Sequence, residues 1–199
     1  MTPSAIRALK VVLFALCLLP LTLLALELFG VGGLSLGANP IEELTHVTGE
    51  WALRWLLVCL AVTPARRWLG WSWAAPLRRS FGLIAFGYAS LHFSIWAWLD
   101  LGLDGAAMLE DVLERRYIAA GFTAFALLCP LAATSTRAMI RRLGRRWQKL
   151  HRLVYVAAIA AVVHFLWLVK ADWLSPAIHA ALLALLLAAR LRAPAPRRG

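Results

Sequence analysis

Six long apolar stretches dominate this chain of 199 residues and limit what it can fold into. A helix needs about 17 to 25 mostly apolar residues to cross a bilayer, and each stretch is long enough. Hydrophobic residues make up 62% of the sequence and charged residues only 16%, which leaves little for a soluble domain. We therefore predict an all-α integral membrane protein, with a six-transmembrane-helix bundle in residues 1–192 and a short basic cytoplasmic tail in residues 193–199. The predicted spans are Val11–Leu28, Val47–Thr63, Phe81–Leu99, Tyr117–Ala133, Leu153–Val169 and Pro176–Leu191.

Proline and capping residues mark several boundaries of these spans. Asn39 followed by Pro40 is typical of a helix start, so we expect a helix to begin in the first loop and to run into the second span. Ser175 followed by Pro176 opens the last span in the same way. Pro64 is predicted to end the second span, because proline lacks a backbone N–H.

Positive charge is concentrated on one side of the predicted bundle. Cytoplasmic loops are enriched in Lys and Arg, and the loops on the opposite side contain only Arg115, Arg116 and Lys170. Both termini are therefore predicted to be cytoplasmic. The net charge of +11 is explained by this topology and by contact with anionic membrane lipid, so nucleic acid is not an expected partner. The basic loops contain Arg7, Lys10, Arg66, Arg67, Arg78, Arg79 and the runs from Arg137 to Arg152 and from Arg190 to Arg198.

His92 and His164 lie inside two different apolar spans, where ionisable side chains are rare and usually functional. Both spans run outward, and the two residues lie about 10 Å and about 9 Å below the outer ends of their helices. Two imidazoles at matched depth predict a shared partner, and heme iron held between two helices is the partner we favour. His179, one turn into the last span, is the spare candidate ligand.

The three cysteines are isolated in separate spans, and the sequence has no C-x-x-C-H motif for covalent heme attachment. Any heme is therefore expected to be held non-covalently, as heme b. Cys17, Cys59 and Cys129 are interpreted as small buried hydrophobic residues. The sequence also lacks a glycine-rich nucleotide fingerprint, a P-loop and a G-x-S-x-G motif.

The sequence leaves open a second cofactor near the cytoplasmic side. His151 lies at the cytoplasmic mouth of the fifth span, and the third span carries Arg78 and Arg79 at the corresponding depth instead of a histidine. A second heme with two histidine ligands is therefore not supported. The alternatives are a heme with His151 as its single ligand, an anionic flavin or quinone held by the arginines, and an interfacial histidine without a ligand.

His46, Glu50 and Arg54 follow one another at intervals of four residues and are predicted to share one face of the second span. In one interpretation, Glu50 and Arg54 only neutralise each other. In the other, Arg54 meets a heme propionate while His46 or Glu50 handles protons released by a quinol.

Distinctive segments occur in nearly every part of the chain, and the one that leads into His151 is the most specific. They are Gly37-Ala38-Asn39-Pro40-Ile41-Glu42, His46-Val47-Thr48-Gly49, Leu60-Ala61-Val62-Thr63-Pro64, Arg78-Arg79, His92-Phe93, Arg142-Leu143-Gly144-Arg145-Arg146-Trp147-Gln148-Lys149-Leu150-His151 and His164-Phe165-Leu166-Trp167. In these segments the chain resembles ferric-reductase-like membrane domains, and most closely the MsrQ (YedZ) family of heme-binding subunits.

The resemblance implies a ferric-reductase-like bundle in the bacterial inner membrane that carries electrons from the quinone pool through heme b. The acceptor would be a periplasmic molybdopterin methionine sulfoxide reductase, which itself catalyses the repair of oxidised periplasmic proteins. The resemblance also implies bound FMN, and a cytoplasmic flavin reductase is the alternative electron donor. Because the chain ends at Gly199 without the flavin and NADPH domain of ferric reductases, we expect electrons to enter from another molecule.

Two other classes of protein fit parts of the pattern. In a transporter or a structural membrane adaptor, the histidines would be proton relays or hydrogen bonds between helices. We find neither paired broken helices nor a repeat between the halves of the sequence, which disfavours a transporter. A self-contained metal-reducing enzyme is disfavoured by the missing nucleotide domain.

Overall fold

A computed structural model of the protein describes residues 3–33 and 35–191, and all regular structure in this part of the chain is helical. The α-helices are α1 (Pro3–Leu28), α2 (Pro40–Trp68), α3 (Arg78–Ser94), α4 (Gly105–Glu114), α5 (Arg116–Ala133), α6 (Arg137–Leu143), α7 (Arg145–Leu150), α8 (Leu153–Leu168) and α9 (Leu174–Leu191). A π-helical segment, Ile95–Asp100, continues α3, and short 3₁₀ segments occupy Val31–Gly33 and Ser72–Leu77. The predicted all-α class is confirmed, while the predicted tail, 193–199, lies outside the described residues.

Capping residues explain where α2 begins. The Asn39 side chain accepts a hydrogen bond from the Glu42 backbone N–H at 3.4 Å, and Pro40 is the first residue of the helix. The prediction that a helix starts in the first loop is therefore confirmed. Similarly, α9 begins at Leu174, next to the predicted start at Ser175.

Pro64 does not end the second span, so that prediction is wrong: α2 continues to Trp68. A proline inside a helix removes the N–H that would donate to the carbonyl four residues earlier, which here belongs to Leu60. The Arg190 guanidinium in α9 donates a hydrogen bond to the Leu60 carbonyl instead. It also donates to the Tyr155 hydroxyl at 2.5 Å. A side chain of α9 thus supplies the hydrogen bond that the Leu60 carbonyl lacks, and α2 can continue past Pro64.

Five helical segments in the described residues are long and apolar enough to cross a membrane. No more than 22% of the residues in the apolar window of any of them are buried inside the protein, so most of this apolar surface is available to lipid. The predicted second span lies in α2, which carries Glu50 and Arg54 and is not one of the five. The chain is therefore a membrane protein, and the count of six spans stays a prediction. The five segments are Arg7–Leu28, Ser72–Asp100, Arg116–Ala133, Arg145–Leu168 and Leu174–Leu191.

Two closely packed helix pairs form the frame of the bundle: α2 with α3, and α5 with α8. The pairs meet through α3 against α5 and α2 against α8, and α9 packs on α2 and α8. Ala157 and Ala158 are completely buried, and such small residues let helices approach closely. The main core consists of Leu53, Leu56, Leu57, Leu60, Ala85, Leu128, Ala157, Ala158, Val162 and Leu183.

The two ends of the bundle differ in charge. We call residues 39–46, 100–117 and 170–175 the acidic end, and residues 64–80 and 134–152 the basic end. In the basic end, Gly144 separates α6 from α7 with a φ of +50°, which a side chain would strain. The Trp147 indole N–H donates to the Thr134 carbonyl at 3.0 Å and holds this basic segment against the end of α5.

Candidate functional site

A cavity of about 460 Å³ lies between α2, α3, α5 and α8, within the two helix pairs. This volume falls in the range of about 300 to 1,000 Å³ that is usual for small-molecule and cofactor sites. Aromatic side chains form much of its wall, among them Phe93, Phe125 and Phe165. Polar side chains from the acidic end also line it, including His46, Asp100, Arg115 and Tyr117.

His92 in α3 and His164 in α8 face each other across this cavity. Their ring centroids are 6.0 Å apart, and the ring planes meet at 77°. The structure thus brings together the two imidazoles that the sequence predicts at one depth. No group of three or more His, Cys, Asp or Glu side chains in residues 3–33 and 35–191 is placed to hold a metal ion.

Backbone carbonyls fix the tautomer of both rings. The Thr45 carbonyl in α2 lies 2.9 Å from Nδ1 of His92, and the Tyr117 carbonyl in α5 lies 2.6 Å from Nδ1 of His164. A carbonyl oxygen only accepts, so Nδ1 carries the proton in each ring. The unprotonated Nε2 is then free to ligate a metal, and a hydrogen bond at the other ring nitrogen is the usual support of a metal-ligating histidine.

The spacing of the rings fits two axial ligands of one iron atom. With metal–nitrogen bonds of about 2 Å, ligating nitrogens on opposite sides of a metal are about 4 Å apart, and the ring centres are about 6 Å apart. The observed 6.0 Å agrees with this value. Aromatic walls with a polar mouth suit a flat apolar ligand that has an anionic edge. The residues present therefore fit a heme.

His179, the spare candidate, lies outside the cavity lining. It is 7% exposed, and its Nδ1 donates to the Ser175 carbonyl of its own helix at 2.8 Å. Its ring meets Phe165 edge-on, with centroids 5.6 Å apart. Phe165 belongs to the cavity wall, so His179 packs behind that wall.

His151, Arg78 and Arg79 lie at the basic end, away from this cavity. The His151 ring stacks on Trp147 with centroids 3.8 Å apart, and its Nε2 is 3.5 Å from the Ser135 hydroxyl. Both arginines are exposed at the start of α3. The structure therefore does not bring these three residues to the site of His92 and His164.

His46 and Glu50 line the cavity, whereas Arg54 is not part of its lining. The Arg54 Nη2 lies 2.6 Å from the Glu50 Oε1, and the guanidinium lies 4.8 Å from the centre of the Trp51 ring. Glu50 also accepts a hydrogen bond from the Ser175 hydroxyl at 3.2 Å, which ties α2 to α9. This arrangement favours mutual neutralisation of Glu50 and Arg54 over a propionate contact by Arg54.

Four groups that hold the two imidazoles were not predicted from the sequence: the carbonyls of Thr45 and Tyr117 and two glycines, Gly49 and Gly121. Gly49 lies against one ring and Gly121 against the other. The sequence carried a signal of these groups. Thr45 precedes His92 by 47 residues, and Tyr117 precedes His164 by the same 47 residues. The two halves of the sequence therefore do share a repeat in this region, and the expectation of none is wrong here.

Residues 48–162 match the family model of the ferric reductase like transmembrane component. The matched stretch covers more than half of the chain, includes His92 and ends two residues before His164. This match defines the class of protein: a ferric-reductase-like membrane protein. None of the solved structures matches the chain.

Relatives with the name protein-methionine-sulfoxide reductase heme-binding subunit MsrQ match nearly the whole chain. The one from Rhodospirillum rubrum is 50% identical over 190 residues, which cover 95% of this chain and 89% of the relative. The one from Ralstonia nicotianae is 46% identical over 193 residues, 95% of this chain and 87% of the relative. The one from Bordetella pertussis is 47% identical over 202 residues, 100% of this chain and 96% of the relative. The chain belongs to the MsrQ family.

Proposed function

We propose that this protein is a heme b electron-transfer subunit that passes respiratory-chain electrons to a periplasmic molybdopterin methionine sulfoxide reductase, which repairs oxidised periplasmic proteins. One observation carries the proposal: His92 and His164 lie with ring centroids 6.0 Å apart across one cavity. The name of the relatives supports it, because it describes those proteins as heme-binding subunits of a protein-methionine-sulfoxide reductase. Methionine sulfoxide reduction itself is assigned to the partner.

His92 and His164 are the proposed axial ligands, each through Nε2. Bound heme would supply one-electron chemistry, at a potential set by its ligands and surroundings. The carbonyls of Thr45 and Tyr117 hold the ligand tautomer, and aromatic side chains line the site. We assign residues 1–192 to this heme-binding transmembrane domain, with residues 193–199 as its basic tail.

Arg115 is the side chain we assign to the carboxylates of the heme. Among the Lys and Arg side chains of the described residues, it is the one that lines the cavity. Its Nε lies 3.2 Å from the Asp111 carboxylate. A hydrogen bond to Tyr117 and the charge of Asp111 raise the pKa of Arg115 above its ordinary value, so the guanidinium stays positive.

We assign the acidic end to the periplasm and the basic end to the cytoplasm of a bacterial inner membrane, with both termini cytoplasmic. The concentration of Lys and Arg at the basic end supports this orientation. The polar mouth of the cavity then faces the side on which the reductase partner works. Electrons would leave the protein at that end.

Electron entry is proposed at two places. Next to the acidic end, His46 or Glu50 would take the protons of a quinol, since both side chains line the cavity. At the basic end, His151 with Arg78 and Arg79 would hold an anionic flavin such as FMN, or would meet a cytoplasmic flavin reductase, because exposed arginines attract anionic groups. The flavin assignments rest on the family resemblance.

Alanine variants of the histidines test the proposal. His92→Ala and His164→Ala should each lose heme or convert it to a weaker high-spin form, and should stop electron delivery to purified methionine sulfoxide reductase. His179→Ala is the matched control, because its ring is buried and hydrogen-bonded but lies outside the cavity, and it should resemble the wild type. His151→Ala should keep this heme. Heme retention in both His92→Ala and His164→Ala, measured as heme per chain, would refute ligation across the helices.

A further inference from the structure

Two glycines leave room for the two imidazoles. A Cβ atom added to Gly49 would lie 2.8 Å from Nδ1 and Cε1 of His92. A Cβ atom added to Gly121 would lie 2.7 Å from Nδ1 of His164. Such distances are too short for real Cβ atoms, so an alanine at either position would push the ring away. Each ring therefore lies directly on the backbone of the neighbouring helix.

The close approach lets each ring reach a carbonyl one helical turn before the glycine. His92 donates from Nδ1 to Thr45, four residues before Gly49. His164 donates to Tyr117, four residues before Gly121, in the same way. A carbonyl oxygen has two lone pairs, so it can accept from the imidazole in addition to its own helix N–H. The glycine and the carbonyl thus act on the ring together.

The same arrangement occurs twice in the chain. A shift of 72 positions carries Thr45, Gly49 and His92 onto Tyr117, Gly121 and His164. The first set joins α2 to α3 and the second joins α5 to α8, which are the two closely packed pairs of the bundle. The shift also relates identical residues that surround the histidines: Ala85, Ala89 and Phe93 correspond to Ala157, Ala161 and Phe165.

We propose that Gly49 and Gly121 are positioning residues in two copies of one helix-pair unit, each of which fixes an imidazole with Nδ1 on a backbone carbonyl and Nε2 toward the cavity. This inference rests on the proposed heme ligation by His92 and His164. It adds that a methyl group at either glycine displaces the ligand ring even when no heme is bound, because the added Cβ would lie within 2.8 Å of that ring. The duplicated unit explains why two ligands on different helix pairs meet at one depth.

Gly49→Ala and Gly121→Ala test the inference, with Gly87→Ala as the matched control. Gly87 lies in α3, the helix of His92, and a Cβ atom there would meet nothing within 4 Å. Alanine normally stabilises a helix relative to glycine, so the control should fold at least as well as the wild type. The two test variants should bind heme about 10 to 100 times more weakly, the usual effect of losing the support of a ligand. Their remaining heme should show more high-spin character and a raised midpoint potential, because the ligand loses the hydrogen bond that makes it more basic.

A second measurement separates the ring clash from general damage to the fold. In heme-free protein, Gly49→Ala should lower the unfolding temperature when His92 is present and should not lower it in the His92→Ala background, where no ring meets the new methyl group. Gly121→Ala should behave in the same way with His164→Ala. An equal loss of stability in both backgrounds would overturn the inference.

Comparison of the histidine variants with the glycine variants separates a failure of the positioning role from a failure of the proposed heme ligation. If His92→Ala and His164→Ala lose heme while Gly49→Ala and Gly121→Ala match Gly87→Ala in affinity, spin state and potential, only the positioning role fails. If the two histidine variants keep their heme, the ligation model fails, and the heme-free stability data still decide whether the glycines position the rings.

Discussion

Replacing Glu50 by Gln should leave Arg54 as an uncompensated cation inside α2. The two side chains meet at 2.6 Å, and Glu50 also accepts from the Ser175 hydroxyl. Two unit charges about 4 Å apart interact by about 4 kcal/mol at an effective dielectric constant of 20. Because 41% of the Arg54 side chain and 29% of the Glu50 side chain remain exposed, we expect a smaller loss of about 1 to 3 kcal/mol in the free energy of unfolding.

A double-mutant cycle measures this pair in reversible unfolding of the detergent-solubilised protein. The variant with both Glu50→Gln and Arg54→Gln should recover part of the loss, giving a coupling energy of about 0.5 to 3 kcal/mol. Glu110→Gln on the exposed side of α4 is the control and should change stability by less than about 0.5 kcal/mol. Additive effects of the two substitutions would refute mutual neutralisation. Slower quinol-dependent heme reduction in the double variant, with stability recovered, would indicate proton handling by Glu50.

Three further predictions concern topology, charge and packing. Reporter fusions at Gly105 and Gly144 should report opposite sides of the membrane, and two answers of the same kind would contradict the proposed orientation. Arg115→Gln should lower the midpoint potential of the heme, because it removes a cation that stabilises the reduced form. The expected decrease is less than about 60 mV, which corresponds to a tenfold change in the equilibrium constant of a one-electron couple. An unchanged or raised potential in a redox titration would exclude this role of Arg115. Tyr88→Phe removes the buried hydrogen bond from the Tyr88 hydroxyl to the Cys17 carbonyl, which joins α3 to α1. The free energy of unfolding should fall by about 0.5 to 1.5 kcal/mol in thermal unfolding. An unchanged transition would show that this bond does not hold α1 against α3.

The matched depth of His92 and His164 could be predicted from the sequence, because only the ends of two spans and the rise per residue of a helix were needed. Each span has recognisable ends, and a fixed rise per residue converts position into depth. The structure adds the 6.0 Å separation, which depends on how the two helix pairs pack. The spare ligand, His179, has a similar depth but faces away from the cavity, and depth alone does not distinguish these cases.

The prediction for Pro64 failed because a distant residue completes the local pattern. Pro64 is a reasonable helix end until Arg190, far along the chain, donates to the carbonyl that the proline leaves unpaired. For Arg54 the sequence left two interpretations open, and the 2.6 Å contact with Glu50 favours mutual neutralisation over a propionate contact. Arg115 follows a short helix between two spans, and periodicity does not predict that its side chain turns back into the cavity.

Low-temperature EPR spectroscopy of the oxidised protein tests the central claim most directly, because the spectrum reports both axial ligands of the heme iron. The two imidazole planes meet at 77°, so the wild type should give the strongly anisotropic low-spin signal that nearly perpendicular planes produce. The signal should disappear in His92→Ala and in His164→Ala and persist in His179→Ala. A low-spin signal that is unchanged in either of the first two variants, or a wild type that is high-spin only, would contradict ligation of one iron by His92 and His164.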